Sequence, residues 1–287
     1  MILAAGLFAL LSPVVKAAVS LGVYDYNKTF STATDLSYDE YFVSWANFQT
    51  GSLTAMCNLS KAKNRWPIVV VEPWCNPTIT ANSANLLSDV TSGKYDTTIR
   101  AMCTDLKNYH GPVLIRWGHE MELPNNFGRY PWATTNYNAY KAAYIHVITI
   151  FKLYTYGLNQ VYYVWSPGGS SNCNGYYPGD AYCDFSGCSL YSWAAYNNQH
   201  GYSGDFASLF SPKYNVLKIH NKPIMVCECG IEKDDNQSAW VTAAKTAFVK
   251  YPLLVSAVYF NAPDSVTWWP GGPIPNWSIS PLLWTKS

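Results

Sequence analysis

The chain has 287 residues, a formal net charge of +1 and only 13% charged residues, about half the usual share. It contains no run of Lys or Arg, so its charge pattern gives no reason to expect nucleic acid or an anionic membrane as a partner. Aromatic residues make up 16% of the chain, including 12 Trp and 23 Tyr. Their flat apolar faces and polar edges suit sugar rings, so we expect a neutral, uncharged partner.

Residues 1–18 are predicted to be a secretion signal. An uncharged apolar stretch is followed by the small residues Ala17 and Ala18, although the charged start of a typical signal is missing apart from the amino terminus. An uncleaved N-terminal anchor is the alternative. Residues 19–287 contain no linker or low-complexity tract, so we expect one domain, a secreted monomer without membrane contact after signal cleavage.

Strand-like apolar runs alternate with helical patterns along the rest of the chain. A first strand is predicted at 19–24, and a helix-like pattern follows at 35–47, with a possible second strand in its later part. Three consecutive valines within 66–73 favour a buried parallel strand. Further helices are predicted at 96–110, 134–156, 206–220 and 239–250, and further strands at 113–117, 160–165, 222–228 and 253–260. This alternation and the chain length predict an α/β fold, a single (β/α)8 TIM barrel.

Two of the predicted strands run directly into a glutamate. Glu120 follows the strand at 113–117, and Glu228 ends the strand at 222–228. An ionisable group in such a place is costly unless it lies in a pocket and is used. Barrels of this type carry their sites at the carboxyl ends of the strands, and cleavage of a glycosidic bond requires two carboxyl groups. Glu72 ends a third strand and is a further candidate.

The neighbours of Glu120 suggest how the site is built. Arg116 has the same strand parity as Glu120, so it should point into the barrel and pair with a carboxylate of the site. Strict alternation turns His119 away from Glu120, so a role in the site requires a bulge or twist; otherwise His119 is structural. Glu122 adds a second charge beside Glu120, and we expect its side chain to point to solvent.

Eight cysteines in an exported chain predict disulfides. The connectivity stays open, but a local bridge is expected among Cys173, Cys183 and Cys188, which share one loop-rich stretch. Cys227 and Cys229 flank Glu228, and strand alternation turns both towards the covering helices. No zinc-type ligand spacing occurs, so we expect no metal and no other cofactor.

Several short segments, in a shared order, resemble glycoside hydrolase family 26. That family pairs a G-K-x-D-x-x-I segment, as in Gly-Lys-Tyr-Asp-Thr-Thr-Ile at 93–99, with a strand ending R-x-x-H-E-M, as at 116–121. Further matches follow at 164–167, 176–180, 184–191 and 222–230, so the resemblance extends over nearly all of residues 20–260. The family continues H-E-M-N-G, whereas Glu122 follows Met121 here; Tyr130-Pro131-Trp132 then resembles the family's Y-P-W.

The resemblance implies a retaining endo-β-glycanase that acts by double displacement, with a catalytic domain at 19–287. Glu120 falls on the general acid/base and Glu228 on the nucleophile. The resemblance also implies that His119 assists the acid/base, that Tyr191 contacts the nucleophile, and that Trp165 and either Trp268 or Trp269 are sugar platforms. Further candidate substrate-binding residues are Arg116, Trp117 and Glu72.

The altered sequence after Met121 leaves the substrate open. We expect a neutral β-linked polysaccharide, β-1,4-mannan or mixed-linkage β-glucan. The alternative substrates are β-1,3-xylan and an exopolysaccharide. The alternative function is that of a non-catalytic secreted barrel that binds carbohydrate without turnover.

Overall fold

The computed structural model describes residues 18–76, 85–122, 130–158, 160–269 and 271–285. The predicted secretion signal therefore lies outside the described residues, apart from its last position. Within the described ranges, no helix combines the length and the apolar character needed to cross a membrane.

Eight parallel strands in the described part of the chain form a closed barrel. Each strand pairs with the next along the chain, and the last pairs with the first. The strands are β1 (Ser20–Asp25), β2 (Tyr38–Ser44), β3 (Trp66–Glu72), β4 (Val113–Trp117), β5 (Val161–Trp165), β6 (Phe185–Ser192), β7 (Ile224–Ile231) and β8 (Leu254–Asn261). The predicted (β/α)8 TIM barrel is confirmed.

Helices follow the strands and cover the outside of the barrel. They are α1 (Ser52–Ala62), α2 (Leu86–Thr91), α3 (Asp96–Tyr109), α4 (Tyr137–Tyr154), α5 (Ala194–His200), α6 (Phe206–Leu217), α7 (Gln237–Ala247) and α8 (Pro281–Trp284). The four predicted helices correspond to α3, α4, α6 and α7. The helix-like interpretation of 35–47 is wrong, whereas the possible second strand in that region exists as β2 and begins earlier than expected. Its Tyr, Phe and Val side chains favour an extended strand.

Alternation along the strands decides which side chains fill the barrel. Ile68, Leu114, Val164 and Val258 form part of a small cluster inside it, while their strand neighbours pack in the larger cluster beneath the helices. This parity points Arg116 inward, two residues beyond Leu114.

A β-bulge in β7 changes this parity just before Glu228. Val226 pairs with Cys188, but the next pair along β6 is Ser189 with Glu228, so Cys227 is an extra residue. Met225 and Cys227 both pack inside the barrel, as ordinary alternation requires. The extra residue allows Glu228 to face the same way as Cys227. The prediction that Cys227 faces the helices is wrong because of this bulge.

The remaining cysteines lie in the apolar core or close to it. Cys229 packs in the larger cluster beneath the helices, as predicted. All eight cysteines belong to the described residues and all are free thiols, so the expected disulfides, including the bridge among Cys173, Cys183 and Cys188, are not formed. Burial raises the pKa of Cys188 and of Cys227 to about 12.

Candidate active site

A left-handed turn at the end of β4 presents His119 and Glu120. Gly118 and Glu120 have φ angles of +57° and +53°, a conformation that costs a non-glycine residue roughly 1–2 kcal/mol. The Glu120 amide donates a hydrogen bond of 2.9 Å to the Ser166 carbonyl just beyond β5. The alternation of strand residues predicts that His119 can reach the site only if the chain bulges or twists there. This turn is that irregularity.

Glu228, on the bulged strand β7, is held through both of its carboxylate oxygens. The Arg116 guanidinium donates to Glu228 Oε1 at 2.6 Å, and the Tyr191 hydroxyl donates to Oε2 at 2.7 Å. Burial and the nearby Glu228 carboxylate raise the pKa of Tyr191 well above its ordinary value, so the hydroxyl keeps its proton. The arrangement fixes the carboxylate in position from two sides.

A third glutamate, Glu40 on β2, lies inside the barrel beneath this pair. Its Oε1 is 3.3 Å from Arg116 Nη1, and both side chains are completely buried. Burial raises the pKa of Glu40 well above its ordinary value; Arg116 opposes that shift and the Glu228 carboxylate adds to it. We infer that Glu40 carries a proton and that Glu228 is the charged partner of Arg116.

Sequence reasoning missed Glu40 because it assigned residues 35–47 a helix-like pattern. If Tyr-Asp-Glu-Tyr-Phe-Val-Ser is read as a strand, Glu40 shares a face with Tyr38 and Phe42. A glutamate on the same strand face as two aromatic residues indicates a buried acid, and this pattern could have identified Glu40.

His119 is completely buried and lies next to the Glu228 carboxylate. Its Nε2 is 4.0 Å from Glu228 Oε1 and 3.2 Å from the Tyr130 hydroxyl. The Trp132 indole donates to the His119 carbonyl at 2.6 Å, and the rings of Tyr130 and Trp132 stack at 4.6 Å. The Tyr130-Pro131-Trp132 segment, to which the sequence had assigned no role, therefore holds the histidine in place.

Glu120 and Glu228 line one cavity of about 940 Å³, together with Tyr191 and Trp268. This volume is at the upper end of the range of about 300–1,000 Å³ that is common for ligand sites. Trp268 donates from its indole to Asp264 at 3.1 Å. Trp269 instead stacks on Trp193 with ring centroids 4.6 Å apart. Of the two tryptophans proposed as a platform, Trp268 is the one that lines the cavity.

Trp117 and Trp165 do not present a ring face to this cavity. Both side chains are completely buried and belong to the outer core, because they follow the inward-facing Arg116 and Val164 and so have the opposite parity. Trp165 packs edge-on against Tyr177 at 5.1 Å. The prediction that Trp165 is a sugar platform and Trp117 a substrate contact is therefore wrong for this structure.

The two other acidic candidates are held by their own neighbours. Glu72, at the end of β3, accepts a hydrogen bond of 3.1 Å from the Trp74 indole. Glu122 is only 4% exposed, and its Oε1 accepts hydrogen bonds from the amides of Gly169 at 2.7 Å and Ser170 at 3.2 Å. The expectation that Glu122 points to solvent is wrong, because it fastens the β4 end to the loop after β5.

Comparison with known proteins identifies relatives of this chain and structures that share its fold. The sequence model of glycosyl hydrolase family 26 matches residues 78–221. Endoglucanase H of Acetivibrio thermocellus is 29% identical over 215 residues, which are 70% of this chain but only 22% of that protein. The chain thus spans about a fifth of this curated relative.

Solved structures share the fold at low sequence identity. A β-mannanase from Bacteroides ovatus superposes with a TM-score of 0.63 and 17% identity, covering 85% of this chain and 80% of that one. A modular endo-β-1,4-mannanase from Cellulomonas fimi gives a TM-score of 0.66 and 12% identity, covering 86% and 66%.

Proposed function

The chain belongs to glycosyl hydrolase family 26 and is a glycoside hydrolase, and from that premise we propose that it is a retaining endo-β-glycanase. Its substrate would be a neutral β-linked polysaccharide. The observation that supports this most directly is the pair of glutamates in one cavity, one of them fixed through both oxygens by Arg116 and Tyr191.

The first chemical step forms a covalent intermediate. A carboxylate oxygen of Glu228 attacks the anomeric carbon while the carboxylic acid of Glu120 gives its proton to the departing glycosidic oxygen. Arg116 and Tyr191 orient the attacking carboxylate, so little reorganisation is needed before attack.

The second step releases the sugar with water. Glu120, now a carboxylate, takes a proton from a water molecule whose oxygen attacks the anomeric carbon, and the bond to Glu228 breaks. Two displacements return the original β configuration. The mechanism requires the two carboxyl groups to be about 5–5.5 Å apart.

Azide rescue of two variants tests the assignment of the glutamates. Glu228→Ala should lose turnover on the polysaccharide, and on an activated aryl glycoside azide should restore release with an α-glycosyl azide as product. Glu120→Ala should retain the covalent step with an activated leaving group and give a β-glycosyl azide. Product configuration is read by NMR. If Glu228→Ala keeps its activity, or if the two configurations are exchanged, the proposed roles are wrong.

We further propose β-1,4-mannan or mixed-linkage β-glucan as the substrate. The support is that the relatives are named as an endoglucanase and β-mannanases. Reducing-sugar release from mannan, lichenan, xylan and cellulose, with products identified by mass, tests this proposal. Release from xylan alone would contradict it, and binding without release would favour the non-catalytic barrel. Secretion and a monomeric state remain predictions, tested by fractionating the expressing culture and by light scattering.

A further inference from the structure

A row of aromatic rings leads from Glu228 out along the edge of the cavity. Tyr191, bonded to Glu228, has its ring 6.2 Å from Trp268, and Trp268 meets the ring of Tyr196 edge-on at 5.1 Å. Tyr196 is followed by Tyr202, with centroids 6.3 Å apart. Tyr196 and Tyr202 line the same cavity as the two glutamates. The row therefore continues the binding surface well beyond the bond that is cleaved.

Local structure holds the outer part of this row in place. The short helix α5 ends at Gly201, whose φ of +68° is a left-handed conformation suited to glycine. The turn brings Tyr202 back, and its amide donates to the Asn197 carbonyl at 2.9 Å. Below it, the Asn197 side chain donates to Ser192 at the end of β6 at 3.2 Å. The two tyrosines are thus attached to the barrel itself.

Exposure and charge indicate what this surface binds. Tyr202 is 54% exposed, while His200 stacks on Tyr196 at 4.0 Å and supports that ring. Tyr196, Asn197 and Tyr202 line this part of the cavity and carry no charge, and each tyrosine combines an apolar ring with a hydroxyl at its edge. Apolar faces with polar edges match a neutral sugar ring and offer nothing to an ionic ligand.

We propose that Tyr196 and Tyr202 form a distal sugar subsite, which binds a unit of the same polysaccharide at a distance from the cleavage point. This inference rests on the proposed function and adds that the enzyme prefers long chains. Binding energy gained at this subsite is available only to substrates that reach it. Short oligosaccharides gain nothing from it.

The test compares substrate lengths in Tyr202→Ala. We expect kcat/KM on polysaccharide and long oligosaccharides to fall about three- to tenfold, the value of one aromatic contact, while the shortest substrate that is cleaved is unaffected. Tyr202→Phe keeps the ring and should restore most of the activity. Tyr156→Ala is the matched control, since Tyr156 is 90% exposed and lies just beyond α4. An equal loss on short and long substrates, or no loss, overturns the proposal.

A binding measurement separates this inference from the proposed function. Glu228→Gln, expected to be inactive, is run through native gels containing each polysaccharide, with and without Tyr202→Ala. Weaker retardation of the double variant supports the subsite, and unchanged retardation overturns it. If the wild-type enzyme cleaves no polysaccharide, the proposed function fails, and the gels still decide whether Tyr202 binds sugar.

Discussion

The two glutamates of the site are presented in different ways. Glu228 lies within a strand, behind a bulge, and both of its oxygens are bonded by side chains from β4 and β6. Glu120 lies beyond the end of its strand, in a left-handed turn whose Glu120 amide is bonded to the Ser166 carbonyl just beyond β5. The Glu228 carboxylate is held by two side chains, and the turn that carries Glu120 is held by a main-chain hydrogen bond.

This difference corresponds to the proposed roles. An attacking carboxylate must meet one carbon atom from one direction, so fixing both oxygens reduces the loss of entropy at attack. An acid/base must protonate a leaving oxygen and later deprotonate water, so the turn at the end of β4 must direct the Glu120 side chain towards the glycosidic oxygen. We therefore expect side-chain changes around Glu228 to affect turnover more strongly than backbone changes around Glu120.

Arg116→Ala should have the largest effect. It removes the cation between Glu228 and Glu40 and leaves Glu228 buried without its charged partner, which typically lowers the free energy of unfolding by about 3–5 kcal/mol. We expect kcat to fall by roughly 100- to 1,000-fold, as for the loss of other charge-stabilising donors. Urea unfolding and initial rates measure the two effects.

Two further variants control for this result. Arg116→Lys keeps a cation and should be less damaging, so it remains informative if Arg116→Ala does not fold. Arg100→Ala removes an exposed helical ion pair and should change stability by less than about 0.5 kcal/mol. Near-normal turnover in folded Arg116→Ala would mean that the ion pair does not position Glu228.

Tyr191→Phe should have the second-largest effect. It removes one hydrogen bond to a charged acceptor, a contact worth about 1.5–3 kcal/mol, so we expect kcat to fall about 10- to 100-fold with little change in KM. Tyr259→Phe is the matched control: Tyr259 is completely buried and its hydroxyl accepts from the Ile231 amide at 3.2 Å, away from the two carboxylates. It should lower stability and leave kcat unchanged. An effect on KM alone would assign Tyr191 to substrate binding.

Much of the fold follows from the sequence because strand and helix periods differ. The valines of β3 and the apolar run of β4 predict parallel strands directly, and the carboxyl ends of those strands predict the region of the site. β2 was misjudged because Asp39 and Glu40 break its apolar pattern, although both are buried, Asp39 against Arg65 and Glu40 against Arg116. Buried acidic side chains that are held by arginines conceal a strand from hydrophobic patterning.

Site residues could be predicted where the chemistry of a side chain makes its burial costly. They could not be predicted where their direction depends on strand register. Glu120, Glu228 and Arg116 could be singled out because ionisable side chains within an apolar strand, or just beyond its end, are costly unless they are used. That Cys227 and Glu228 both face inward depends on one extra residue in β7, which no local pattern reveals. The family resemblance implies a platform at Trp165, and Trp117 is a further candidate, but strand parity places both side chains outside the barrel.

Gly118→Ala should have a smaller effect and probes the backbone at Glu120. A Cβ at this position would be 3.6 Å from Trp132 and from Tyr140, an ordinary contact, so the penalty comes from the φ of +57°. We expect a loss of about 1–2 kcal/mol in stability and a decrease of a few-fold in kcat, because the turn also positions Glu120. Gly157→Ala also introduces a Cβ at a positive φ, +90°, with open space around it, so it should lose stability alone. If both variants have the same kcat, the turn at Gly118 does not position Glu120.

Glu40→Gln should have the smallest effect on turnover, because Gln imitates the protonated acid that we infer beside Arg116. Its signature is the pH dependence of stability. The folded-state pKa of Glu40 is raised above the unfolded value of 4.5, so the folded protein binds more protons there, and wild-type stability should fall as pH rises from about 4.5 through the folded-state pKa. Glu40→Gln lacks this loss. The stability of Glu40→Gln relative to wild type should therefore increase by up to about 1.4 kcal/mol per pH unit in that window, as measured by urea unfolding between pH 4 and pH 8.

The control is Asp234→Asn, at a highly exposed side chain, which should show no such trend. A constant difference across the range would mean that Glu40 is ionised in the folded protein and that Arg116 is shared between two carboxylates.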